Sequence, residues 1–111
     1  MVATTAVAKI PKPTRVSYES ADSTLAISVG PTCLAIVASI EKSDSGSDNT
    51  WRIVDEWVLE VSGSSSTQRQ GILEDPAASS SEPRIRVRFC LNVDRQRCGD
   101  YVEAERECHS V

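Results

Sequence analysis

Three cysteines and the only histidine of the chain lie near its C-terminal end and are the residues best suited to chemistry. Cys90, Cys98, Cys108 and His109 offer the thiolate and imidazole ligands that can close a tetrahedral zinc site. Their spacing matches neither a CxxC redox pair nor a paired-CxxC zinc site. In a strand, the adjacent Cys108 and His109 would also point to opposite faces. We therefore predict no metal and no cofactor.

The redox state of the four cysteines is left open by their spacing. With Cys33, the set allows three complete pairings, and the sequence does not choose among them. One or two disulfides would fit an oxidising compartment, whereas buried free thiols would fit a reducing one.

The chain has few residues suited to acid–base or nucleophilic catalysis. His109, the third residue from the C-terminus, is the only imidazole, and terminal residues commonly fray. Asp55 and Glu56 are neighbours that would point to opposite faces of a strand, so they do not form a facing carboxylate pair. The sequence contains no glycine-rich phosphate loop, HExxH or GxSxG motif. We predict that the protein is not an enzyme.

A stripe of three arginines is the strongest charge pattern. Arg84, Arg86 and Arg88 alternate with apolar residues in a predicted strand from Arg84 to Val93, which by itself suggests phosphate binding. The segment Tyr101 to Cys108 returns with three alternating glutamates. Antiparallel pairing predicts Arg88 opposite Glu105, Arg86 opposite Glu107 and Cys90 opposite Glu103. This neutralisation, with a net charge of -4, argues against nucleic-acid binding.

The segment Cys33 to Ser62 is predicted to form the central β-hairpin. An apolar arm and an alternating arm flank a tip, residues 43–49, made of Ser, Asp, Gly and Asn. Placing Ile40 opposite Ile53 aligns one apolar face. That face comprises Leu34, Ile36, Ile40, Trp51, Ile53, Trp57, Leu59 and Val61. Asp55 falls on it opposite Ala38, where we expect a position at the sheet margin or pairing with an arginine.

These patterns predict an all-β antiparallel sandwich or partly open barrel of about 5–6 strands. Residues 1–14 are expected to be a flexible basic arm, and 15–111 a single domain with a long Ser-rich loop at 63–83. Two alternatives are short helices at 33–42 and 101–108, which would make the fold α+β. The uncharged stretch 23–40 contains Gly30-Pro31 and is too short and polar for a membrane span.

A non-enzymatic structural or assembly subunit is the function that these features favour. It would act through protein–protein contacts, as a homo-oligomer or as a component of a larger complex such as a virion. The residues expected to contact the partner are Trp51, Trp57, Arg84, Arg86 and Arg88. The alternative is a small secreted, disulfide-stabilised inhibitor or effector. Because no signal peptide is recognisable, we favour the cytoplasm or a virion over secretion.

Overall fold

The chain folds into two packed antiparallel sheets. The computed structural model describes residues 9–43, 50–73 and 84–105. Within these ranges it contains seven strands and no helix: β1 (Arg15–Glu19), β2 (Thr24–Val29), β3 (Ile36–Ser43), β4 (Arg52–Val58), β5 (Thr67–Ile72), β6 (Arg84–Leu91) and β7 (Val102–Glu103). The strand order is β1-β2-β5 in the first sheet and β4-β3-β6-β7 in the second. The prediction of an all-β antiparallel sandwich is confirmed, and the sheets do not close into a barrel.

The helical alternatives do not occur in the described residues. The apolar run after Cys33 becomes β3, and Val102–Glu103 form β7, while residues 106–108 lie outside the described ranges. Nowhere in those ranges is there a helix long and apolar enough to cross a membrane.

The core lies between the two sheets and follows the alternation of the strands. Every second residue is buried in β2, and in β6 as far as Phe89, so each strand contributes one apolar face. Phe89 and Leu25 are fully buried and are the largest such side chains. The core is completed by Val16, Ile27, Val29, Ile36, Ala38, Ile40, Trp57, Leu59, Leu73, Ile85 and Val87.

A β-bulge in the central hairpin changes the predicted register. Ile40 pairs with Asp55 rather than with Ile53, and the register shifts immediately afterwards, so that Glu41 pairs with Ile53. The bulged strand carries one extra residue, and side chains beyond it therefore switch faces. Trp57 faces the core, whereas Ile53 is 58% exposed on the outer face. We predicted that the apolar residues of this arm share one face. That prediction is wrong for Trp51 and Ile53, which lie beyond the bulge.

Asp55 is held at the margin of the sheet, where its carboxylate accepts two hydrogen bonds. One comes from the indole Nε1 of Trp57 at 2.8 Å and the other from the backbone amide of Glu56 at 2.8 Å. In the described part of the chain, no arginine contacts this carboxylate. The expected marginal position is found, but the donors are an indole and an amide.

Strand β5 occupies part of the segment that we predicted as one long loop. Thr67–Ile72 pairs along its whole length with β2, opposite Leu25, Ile27 and Val29. The polar sequence Thr-Gln-Arg-Gln-Gly-Ile has no apolar alternation, which is why its pattern did not indicate a strand. An edge strand forms backbone hydrogen bonds to a neighbour on one side only, and its side chains can remain polar. Residues 74–83 lie outside the described ranges.

Gly71 leaves the space that the Trp57 indole fills between β5 and β4. A Cβ at position 71 would lie 3.0 Å from both Cη2 and Cζ2 of Trp57. Because the indole is buried, neither partner can move freely. We expect Gly71→Ala to lower the free energy of unfolding by about 1–3 kcal/mol, the usual cost of overpacking. Urea denaturation followed by circular dichroism measures this change.

Gly30 provides the matched control for Gly71. A Cβ there would meet only the Thr14 Cγ2 atom, at 4.0 Å. Gly30→Ala should leave stability unchanged or raise it slightly, since alanine reduces the entropy of the unfolded chain. Equal destabilisation by the two substitutions would contradict the proposed fit between Gly71 and Trp57.

The described part of the N-terminal arm, residues 9–14, packs against the body of the domain. Ile10 is partly buried against the core, and the Thr14 amide donates to the Ser28 carbonyl at 2.8 Å. Gly99 allows a close approach, because a Cβ there would lie 3.1 Å from the Ile10 carbonyl oxygen. The predicted flexible arm spans 1–14, and its residues 1–8 lie outside the described ranges.

Candidate interaction surfaces

The outer face of the four-stranded sheet carries a stack of arginine and aromatic side chains, which we call the Arg–aromatic ladder. Its members are Arg84, Trp51, Arg86, Tyr101 and Arg88. The Arg86 guanidinium lies between two rings, 4.3 Å from the centroid of Trp51 and 3.9 Å from that of Tyr101. Arg84 lies 5.2 Å from Trp51, and Arg88 lies 4.7 Å from Tyr101. All these distances are within the range of cation–π attraction.

The spacing of the arginines on β6 explains why the rings fit between them. Alternate residues of a strand face the same side and are about 6.6–6.8 Å apart, twice the rise per residue. A flat group stacked between two others needs about 3.5–4.0 Å to each neighbour. The backbone spacing falls slightly short of the total, and the long arginine side chains spread enough to admit one ring, at the observed distances of 3.9–5.2 Å. Trp51 enters from the β4 side, and Tyr101 enters from the β7 side.

Glu41 anchors the middle of the ladder from the neighbouring strand β3. Its Oε1 atom accepts a hydrogen bond from Arg86 Nη2 at 2.8 Å, and its Oε2 atom accepts one from the Tyr101 hydroxyl. The Glu41 side chain is 8% exposed and that of Arg86 is 27% exposed. Glu41 is opposite Arg86 in the β3–β6 register, which places the carboxylate directly beside the guanidinium.

Burial, followed by the hydrogen bond and the negative charge of Glu41, raises the pKa of the Tyr101 phenol above its usual value of 10.0. A raised folded-state pKa stabilises the fold below the unfolded-state pKa, and this contribution is lost as pH rises through the folded-state pKa. We expect Glu41→Gln to lower the pKa of Tyr101. Ultraviolet titration of tyrosinate measures the shift, and Tyr101→Phe identifies which of the two tyrosine signals is Tyr101. An unchanged pKa in Glu41→Gln would contradict the contact.

The two ends of the ladder differ in charge balance. Arg84 forms a bidentate pair with Glu103, through Nε at 2.7 Å and Nη2 at 3.0 Å. Arg88 contacts the Tyr101 ring, but its interactions with described residues include no carboxylate. The Arg88 Nε atom is buried and has no hydrogen-bond partner in the described part of the chain. The positive charge of the ladder is therefore greatest at Arg88.

The register of β6 with β7 differs from the predicted one. Arg86 pairs with Glu103 and Val87 with Val102, a shift of four residues from the alignment that placed Arg88 opposite Glu105. Glu105 instead reaches β1, where its amide donates to the Val16 carbonyl and its carboxylate lies 3.4 Å from Arg15. The predicted partner Glu107 is outside the described residues. Glu41 and Glu103 pair with Arg86 and Arg84, whereas Arg88 has no carboxylate among its described contacts, so the predicted neutralisation is incomplete.

Four of the five residues that we expected to contact a partner meet in the ladder, and the fifth does not. Trp51, Arg84, Arg86 and Arg88 share the outer face, whereas Trp57 is 6% exposed in the core. Sequence reasoning missed Tyr101 and Glu41. Tyr101 follows a polar connector, and Glu41 ends an apolar run, so neither residue stood out by periodicity.

A disulfide closes the connection between β6 and the segment that crosses the outer face. Cys90 and Cys98 are bonded, so the expected pairing of Cys90 opposite Glu103 is wrong. Cys33 is exposed and has no disulfide partner among the described residues, and Cys108 and His109 lie outside them. In the described ranges no group of three or more His, Cys, Asp or Glu side chains is arranged to hold a metal ion.

The disulfide and an ion pair hold the 92–100 segment in place. Arg95 Nη1 reaches Glu56 on β4 at 2.8 Å. Because the disulfide closes a short loop, with a sequence separation of 8, we expect Cys98→Ala to cost about 2 kcal/mol of unfolding free energy. Thermal unfolding of the variant, compared with the oxidised wild-type protein, measures this cost. Equal stability of wild type and variant under oxidising conditions would contradict the bond.

Exposed apolar side chains lie beside the ladder on the edge strand β4. Ile53 is 58% exposed and Val58 is 51% exposed, both on the outer face, and Ile53 is two residues from Trp51. Single exposed apolar residues are ordinary on protein surfaces. Ile53 adjoins the aromatic and arginine cluster, whereas Val58 lies farther along β4 in the row of Val37 and Cys90. Trp, Tyr and Arg are the residue types enriched where proteins bind one another.

A cleft of about 560 Å³ lies between the N-terminal segment and the 96–100 connection. It is lined by Lys9, Ile10, Leu91, Gln96, Arg97, Cys98, Gly99 and Asp100. Both basic and acidic side chains line it, and it lies on the far side of the disulfide from the ladder residues on β6. We assign it no chemistry.

Comparison with known proteins found no relative of this chain. No protein-family model, no curated protein and no solved structure matches the chain.

Proposed function

We propose that the protein is a non-enzymatic structural or assembly subunit that acts through protein–protein contacts. The observation that carries this proposal is the outer face of the four-stranded sheet, where the Arg–aromatic ladder adjoins exposed Ile53 and where Val58 is exposed farther along β4. Trp, Tyr and Arg side chains dominate the binding energy of protein interfaces. In the ladder the rings already hold the guanidinium groups in place, which reduces the entropy lost on binding.

The partner at this face is a protein surface with two chemical features. Apolar side chains would cover Trp51, Ile53 and Val58, and an acidic group would meet the positive charge at Arg88. Since Arg84 and Arg86 already have carboxylate partners, they would contribute their ring-stacked planes rather than new ion pairs. The ladder is therefore organised before the partner binds.

A second candidate function is a small secreted binding protein stabilised by disulfides. The Cys90–Cys98 bond favours it, because disulfides persist mainly in oxidising compartments. The Cys33 thiol, which has no disulfide partner among the described residues, favours the assembly subunit instead. Intact mass after alkylation separates the two: a single reactive disulfide and a free Cys33 fit the subunit, whereas a protein with two disulfides fits the secreted binder.

Size-exclusion chromatography of the chain from its natural source tests the assembly role. We expect elution in a particle much larger than the 12.0 kDa chain. Ile53→Ser combined with Val58→Ser should release the chain from the particle. Val93→Ser is the matched control, because Val93 is 91% exposed in a different part of the fold. A monomer in all cases would contradict the proposal.

A further inference from the structure

The edges of the two sheets differ in how they are covered. On β4, the Glu56 amide donates to Asp55 Oδ1, and the Val58 carbonyl accepts a hydrogen bond from Arg69 Nη1. On β1, the Val16 carbonyl accepts from the Glu105 amide. Strand β7 has only two residues. Side chains or neighbouring backbone thus interrupt each of these edges within the described ranges.

Among the described residues, strand β5 presents an open edge. It lies at the end of its sheet, with β2 on one side. The Leu73 amide donates to Ser23, so residues of odd number bond to β2 and those of even number point their backbone groups outward. The outward residues are Gln68, Gln70 and Ile72. Each of the three is exposed, and no described residue caps them.

We infer that the β5 edge pairs with the β5 edge of a second copy of this chain, in an antiparallel register centred on Gln70. This inference rests on the proposed role in protein contacts but uses a different surface from the ladder. The backbone pattern limits the possible registers, because outward residues must meet outward residues. Centring on Gln70 places Gln70 opposite its own copy and Gln68 opposite Ile72.

Charge selects this register over its neighbour. Strand β5 contains Arg69 and no acidic residue. Centring the pair on Arg69 would put two like charges directly opposite each other, which is unfavourable. In the Gln70-centred register, Arg69 lies opposite Gly71 of the second copy. Arg69 also remains engaged within its own chain, 5.2 Å from the Trp57 ring and bonded to Val58. The Gln70-centred register therefore pairs the edge with its own copy without opposing like charges.

Two single-cysteine variants test the register. In a background with Cys33→Ser and Cys108→Ser, Gln70→Cys places two thiols in a directly opposed pair, where the Cα separation of about 5.5 Å suits a disulfide. Gln68→Cys is the matched control, since its partner would be Ile72. With oxidised glutathione we expect a disulfide-linked dimer from Gln70→Cys and at least tenfold less from Gln68→Cys. Equal yields, or no dimer from Gln70→Cys, would overturn the inference.

Sedimentation velocity across a wide concentration range supplies the independent measurement. Wild type should show a monomer–dimer equilibrium, and Gln70→Pro should weaken it at least tenfold, because proline removes the central outward amide. Circular dichroism establishes that the variant is folded. A dimer unaffected by Gln70→Pro would place the contact elsewhere. A large native particle with no cross-link at position 70 would retain the proposed function and overturn this pairing.

Discussion

Trp57→Ala is expected to lower the free energy of unfolding by about 3–5 kcal/mol, enough to remove much of the stability of a small domain. The indole is 6% exposed, packs within 3.0 Å of the position a Cβ would take at Gly71, and donates to Asp55. Its loss leaves a cavity between the sheets and a carboxylate without its indole donor. Urea denaturation followed by far-ultraviolet circular dichroism measures the change without relying on tryptophan fluorescence.

Trp51→Ala is the matched control for that experiment. Trp51 lies on the outer face and contacts the guanidinium groups of Arg84 and Arg86. Two partly exposed cation–π contacts contribute about 1–2 kcal/mol together. The variant should therefore fold and lose much less stability than Trp57→Ala. Equal losses from the two substitutions would contradict the separation of the tryptophans by the bulge.

Glu41→Gln is expected to cost about 3 kcal/mol, because it leaves the Arg86 charge without its buried carboxylate. This loss of unfolding free energy is at the low end for a broken buried ion pair, because the Arg86 side chain is 27% exposed and water can reach it. Glutamine keeps the size of the side chain, so the loss reports charge rather than volume. Chemical denaturation at neutral pH measures this difference.

Glu103→Gln provides the comparison on the same sheet face. Its side chain is 44% exposed, and its partner Arg84 also contacts Trp51. An exposed ion pair contributes about 0.2–1 kcal/mol, so this variant should remain close to wild type. If the two glutamate variants lose the same stability, the ladder does not depend on Glu41 as its anchor.

The fold class followed from the sequence because periodicity is a local signal. The alternation in Thr24–Val29, and in Arg84–Leu91 as far as Phe89, matches the observed burial, whereas Cys90 is buried although it was predicted on the outer face. Strand β5 escaped prediction because its pairing with β2 is a backbone interaction that a polar sequence can also make. Its position depends on a neighbour distant in the chain, which no local pattern reveals.

The candidate site was predictable in composition but not in arrangement. The three alternating arginines identified one strand of the ladder correctly. The bulge after Ile40 could not be foreseen, and it is what moves Trp51 to the outer face while Trp57 stays inside. The predicted alignment of Glu103 was wrong for another reason. Strand β7 has too few residues for its side-chain pattern to fix the register.

The exposed apolar positions beside the ladder offer the most direct test of the proposed contact surface. A photo-cross-linking amino acid would be placed at position 53, and in a control at position 93, in the chain expressed in its natural source. Both positions are exposed, at 58% and 91%. We expect one protein adduct of defined mass from position 53 and none from position 93. Adding Trp51→Ala should abolish the adduct at position 53. No adduct at position 53, or equal labelling from both positions, would contradict the proposed contact surface.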